Sequence, residues 1–74
     1  MITNDHKKLG NRIRQLRMEH DGMTQADLGK RVDCTRQTII AIEAGGYVPS
    51  LTLAFRIARV FDVPVERVFQ YKDK

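Results

Sequence analysis

This chain has little of what reinforces small proteins. Its 74 residues include one cysteine, Cys34. A lone thiol excludes an internal disulfide framework and suits a reducing, cytoplasmic setting. No stretch approaches the roughly 20 apolar residues of a membrane span. The opening MITNDHKKLG carries no apolar run behind its charges, which excludes a signal peptide. There is no internal repeat and no low-complexity segment. The two histidines, His6 and His20, stand apart from any cysteine or carboxylate set at ligand spacing, so no metal or other cofactor is expected. No nucleophile–base pair, carboxylate pair or phosphate loop is present, and EAGG is not a phosphate motif, which argues against an enzyme.

What remains is a short, mildly basic chain. Thirteen Lys and Arg against nine Asp and Glu give a net charge of +4. That balance is compatible with nucleic acid but common in ordinary domains, so charge alone decides little. A chain of this size has room for one small core and is often marginal alone. With no disulfide or metal to help, dimerisation is the expected reinforcement.

Periodicity and punctuation predict a single all-α domain over 1–74, with flexible ends at about 1–4 and 72–74, five helices and no strand. The first helix runs from about Asp5 to His20, capped by Asn4 or Asp5, with Leu9, Ile13 and Leu16 on one face. Arg12, Arg14 and Arg17 lie away from that stripe or at its border. EHDG ends it, with Gly22 left-handed. The second helix begins at TQAD, where Thr24 and Asp27 make a shortened capping box, and its stripe is Leu28 and Val32. Gly29 in its interior costs about 1 kcal/mol against Ala, which points to another helix crossing closely. VDCT is a tight turn in which Asp33 takes the left-handed conformation and Cys34 plugs the inside. The third helix runs from about Arg36 to Ala44, between the Thr35 cap and Gly45. In GGYVPS, Pro49 keeps Val48 extended and Ser50 caps the fourth helix, about Leu51 to Phe61. That helix is apolar almost all round, so burial on more than one side is expected, some of it by a second copy. Val65, Val68 and Phe69 mark a last short helix, and QYKDK is a tail.

Two short helices joined by a tight turn, at about 24–44, form a helix-turn-helix candidate. Leu28 and Val32 fill the inner face of the first; Ile39 and Ile42 fill that of the second. Arg36, Gln37, Ile40 and Ala41 are left facing outward near the end that enters the major groove in this motif. Arg can hold guanine O6 and N7 through two hydrogen bonds, and Gln can hold adenine N6 and N7. Ile40 is turned about 100° from Ile39, so it points away from the core. It is expected to be exposed for contact with thymine methyls or deoxyribose, with Ala41 beside it; the alternatives are packing against the Tyr47 loop or a partner subunit.

TQADL, TRQTI, IEAG and PSLTLAFRIA, in this order and spacing, resemble the Xre family, the Cro/phage-repressor type of helix-turn-helix transcriptional regulators. The likeness covers nearly the whole chain and is nearest to short, single-domain members. It implies a five-helix lambda-repressor-like fold that binds double-stranded DNA as a homodimer, in the cytoplasm, as a repressor or autoregulator, with no sensor domain and no small-molecule effector. It implies that Gln25 grips a phosphate and supports its neighbour in the recognition helix. Arg36 and Gln37 match the leading base-reading positions and Ala41 a third. Thr35 and Thr38 match positions near the DNA backbone. Arg17 and Glu43 match a structural pair tying the first helix to the third. Three departures stand out. Asp33 replaces the family's usual Gly, Gly46 replaces a Lys or Arg that meets phosphate, and RMEHDGM is one residue longer than usual. Tyr47 and the N–H groups after Ser50 can still hold a phosphate. A rival reading is an antitoxin-type module that binds a toxin and uses DNA only for autoregulation.

Overall fold

The computed structural model describes residues 8–72. The expected caps at Asn4 or Asp5, His6 and the ends at 1–4 and 73–74 lie outside them. Five helices and two short strands follow one another: β1 (Leu9–Asn11), α1 (Ile13–Glu19), α2 (Gln25–Val32), α3 (Arg36–Glu43), α4 (Leu51–Phe61), α5 (Val65–Val68) and β2 (Phe69–Tyr71). The five helices agree with the reading from periodicity. The strands overturn two expectations: Leu9–Asn11 is not helical, and Phe69–Tyr71 is not all helix end and tail.

The strands are antiparallel, with Leu9 opposite Tyr71, Gly10 opposite Gln70 and Asn11 opposite Phe69. The Arg12 N–H donates to the Val68 carbonyl at 2.8 Å, and the Lys72 N–H to the Lys8 carbonyl at 2.7 Å. Gly10 and Asn11 are poor helix formers, and Asn11 offers a local alternative. Its Oδ1 accepts the Ile13 N–H at 3.1 Å, so α1 starts there rather than at Asp5.

The helices end where backbone chemistry stops them. Asp21, Asp33 and Asp62 all have positive φ, with Gly22 and Gly45. Asp33 and Asp62 are the left-handed caps of α2 and α4. Within RMEHDGM the chain turns through two consecutive left-handed residues, Asp21 and Gly22. At the start of α2 the capping box is complete: Thr24 Oγ1 accepts the Asp27 N–H and Asp27 Oδ2 accepts the Thr24 N–H. These bonds hold the Asp27 carboxyl below the usual carboxylate range.

Ile13, Leu16, Leu28, Val32, Ile39, Ile42, Ile57, Phe61 and Val68 form the core. Gly29 is buried, but what it admits is not another helix. A Cβ there would lie 2.7 Å from the Cys34 carbonyl oxygen, so the close neighbour is the backbone of the turn. Cys34 is half-buried against the core, and desolvation, with the Asp33 charge beside it, pushes its thiol above the ordinary range. On α4 the buried stripe is Ala54, Ile57, Ala58 and Phe61. In the single chain the remainder of the helix is open: Leu51 is 72% and Phe55 50% exposed.

Replacing Asp33 by Gly removes the Cβ from a left-handed residue. Asp33→Gly is expected to raise stability by about 0.5–1 kcal/mol, and a β-branched residue there to lower it. Chemical denaturation midpoints check both signs.

Candidate nucleic-acid interface

The site is organised around a buried cation. Arg17, on α1, is 6% exposed. Its Nε donates to Glu43 Oε2 at 2.7 Å and its Nη2 to Glu43 Oε1 at 3.1 Å, while Nη1 donates to the Met23 carbonyl at 2.8 Å. The planar guanidinium thus spans α1, the loop before α2, and α3. Gln25, the first residue of α2, donates from Nε2 to the same Glu43 Oε1 at 3.2 Å. The start of α2 and the last turn of α3 are therefore fixed against one carboxylate.

Asn11 adds a clamp that the pattern of helices did not reveal. Its Nδ2 donates to the Ile42 carbonyl at 3.0 Å, fastening β1 to the end of α3. The local signal was the Gly10–Asn11 pair just before a hydrophobic helix start, a turn-forming dipeptide read as helix.

The third helix is held at both ends. Thr35 Oγ1 accepts the Thr38 N–H at 3.1 Å and meets the Thr38 hydroxyl at 3.0 Å. At the other end Gly45 is left-handed, its N–H donates to the Ile42 carbonyl and the Gly46 N–H to the Ala41 carbonyl. This is the hydrogen-bond pattern of a Schellman motif. Ile39 and Ile42 face the core.

Arg36 and Gln37 are exposed, and neither side chain has a hydrogen-bond partner among the described residues. Ile40 and Ala41 are half-buried. Ile40 is therefore less open than expected, because its helical neighbours Arg36 and Glu43 flank it on the same face. Gln25 and Thr38 are half-buried; Thr35, Tyr47 and Ser50 are exposed. Ser50 caps α4, its Oγ accepting the Leu53 N–H at 3.1 Å, which leaves its O–H to donate. The structure thus places the four outward residues on one helix, Gln25 on one flank of it, and Tyr47 and Ser50 on the loop that follows it. Among the described residues no helix is long and apolar enough to cross a membrane, and no group of three or more His, Cys, Asp and Glu could hold a metal ion.

Arg17→Met leaves Glu43 without its cation, and the expected cost is about 3–5 kcal/mol, as for other broken buried pairs. The double change Arg17→Met/Glu43→Leu should cost less than the sum of the singles. A urea double-mutant cycle measures this, and additive losses would mean that the two side chains do not act as a pair.

The helix-turn-helix family model matches residues 13–68. The chain is 51% identical over 63 residues to an uncharacterized HTH-type transcriptional regulator of Methanocaldococcus jannaschii, covering 85% of this chain and 94% of that protein. It is 48% identical to one from Archaeoglobus fulgidus, covering 85% and 89%. It is 44% identical to the HTH-type regulator YgzD of Bacillus subtilis, covering 86% and 96%.

Proposed function

Because the chain belongs to the helix-turn-helix family of transcriptional regulators, we propose that it is a homodimeric repressor or autoregulator that reads specific duplex DNA with α3. The observation that carries this reading is the pair of exposed side chains, Arg36 and Gln37, without hydrogen-bond partners among the described residues, at the N-terminal end of a helix whose other face is core. That end enters the major groove in this motif, and both residue types can make two hydrogen bonds to one purine edge. Ile40 and Ala41 supply the apolar contact to thymine methyls. Gln25, Thr35, Thr38, Tyr47 and Ser50 contact the sugar–phosphate backbone on either side, which positions the helix without specifying sequence.

Arg17 and Glu43 are structural. Glu43 holds the Gln25 amide from Nε2, so the Gln25 side chain is oriented before DNA arrives. Ordering it then costs little on binding.

The dimer reading is supported by α4. Leu51 and Phe55 are one helical turn apart and largely exposed, so they form an apolar strip beside the loop after α3. Two-fold pairing through that strip presents two copies of α3 to half-sites one helical turn of DNA apart.

Selection from a randomised duplex pool is expected to enrich a palindrome with half-site centres about 10 base pairs apart. Arg36→Ala should cost about 1–3 kcal/mol on that site and relax preference at one base pair, whereas Gln25→Ala should weaken all sequences alike. Uniform losses for both variants would remove the division between base and phosphate roles. Phe55→Glu is expected to give monomers in sedimentation with the helical content retained. A wild type that sediments as a monomer at micromolar concentration would overturn the dimer.

A further inference from the structure

We propose that the cleft between the start of α1 and the end of α3 holds a DNA backbone phosphate through the side chains of Arg12 and Arg14. The proposal rests on the duplex-DNA reading and widens its footprint beyond α2, α3 and the loop that follows.

The cleft is an open hollow of about 440 Å³ lined by Asn11, Arg12, Arg14, Gln15, Met18 and Glu43. Arg12 and Arg14 are exposed, and neither has an ion-pair partner among the described residues. The first turn of α1 contains no acidic residue to offset them. The one carboxylate on the cleft wall, Glu43, is already matched by Arg17 and bonded by Gln25. Asn11 is committed on both sides, to the Ile13 N–H and the Ile42 carbonyl. Two backbone donors at this corner are committed, the Arg12 N–H to Val68 and the Ile13 N–H to Asn11. The charge available to an anion here is that of the two guanidinium groups, whose planar donor forks match phosphate oxygens.

Placement makes the anion a DNA phosphate. Glu43 lies three residues beyond Ile40, so the Ile40 side of α3 leads to the cleft. Gln25 is bonded to the same Glu43, which puts Gln25 and the cleft on one flank of α3. The major groove is about 12 Å wide, so a helix that fills it has a phosphate backbone along each side. Tyr47 and Ser50 belong to the loop that follows Glu43. Arg12 and Arg14 extend the Gln25 flank. Met18, 53% exposed, gives the cleft an apolar wall suited to deoxyribose.

The test is the double variant Arg12→Gln/Arg14→Gln of the full chain. Both side chains are exposed, so circular dichroism should match wild type. Anisotropy titrations against the selected operator and a random duplex, across a salt series, give affinity and its salt dependence. The expected result is a roughly tenfold loss on both duplexes, a log–log salt slope shallower by about one unit per phosphate released, and an unchanged consensus. Wild-type affinity and slope in the double variant, with wild-type protein binding the operator, would overturn this proposal alone. A wild type that binds no duplex would overturn it together with the function proposed above. Titration of the DNA-free protein with inorganic phosphate separates the sources. Saturable amide shifts at Arg12–Met18 in wild type, with DNA binding unaffected in the double variant, would assign the cleft to a free phosphorylated ligand instead and overturn the proposal.

Discussion

A guanidinium removed from water needs a partner for each of its nitrogens, and that requirement shapes this domain. Arg17 satisfies it with Glu43 and the Met23 carbonyl. Together with Arg17 itself, those partners tie three segments that are otherwise connected by turns. If α3 moved relative to α1 by an ångström or two, the cation would lose its carboxylate while still surrounded by core. Such a displacement costs more than a comparable slip between apolar faces, because charge in a poorly solvating interior has no cheap alternative partner. The orientation of α3, and with it the direction in which Arg36 and Gln37 point, is inherited from this pair. Gln25 joins through the remaining capacity of Glu43 Oε1, so the start of α2 is registered by the same group.

Around that fixed point the chain changes direction by a repeated device. Three aspartates take left-handed conformations, and two of them terminate α2 and α4. Each accepts some backbone strain, tolerable because Asp is among the few side chains that visit this region. Helices of seven to eleven residues are too short to be stable alone, so their stops and caps matter as much as their propensities. Thr24, Thr35 and Ser50 each cap the next helix with a side-chain oxygen.

Most of these features were legible in the sequence because they are local. Thr35 and Gly45 bracket α3, Ser50 starts α4, and Asp33 announces its left-handed turn from its neighbours alone. The outward set on α3 follows from helical spacing. What was not legible depends on residues far apart. Leu9 pairs with Tyr71, and nothing within a few residues of either says so. A three-residue strand has no alternation to detect, and Leu9, Ile13 and Leu16 satisfy a helical stripe equally well. Gly29 signalled a close approach correctly, but one sequence position cannot say whether a helix or a turn makes it. On α4 the apolar composition was clear while the exposure of Leu51 and Phe55 was not, since composition does not say how much core a small domain has to offer.

The β1–β2 seam also bears on chain topology. Antiparallel pairing holds residues near the two ends of the described chain one strand spacing apart, about 4.8 Å. The path is therefore almost a closed ring, and closely spaced ends are what circular permutation needs. A ring can be opened at another corner, such as the one after Asp62, and its old ends joined by a short linker. The order in which the helices are synthesised would change, while Arg17 and Glu43 would remain on the same unbroken segment. The orientation of α3 belongs to that segment and not to the direction from which the chain enters it.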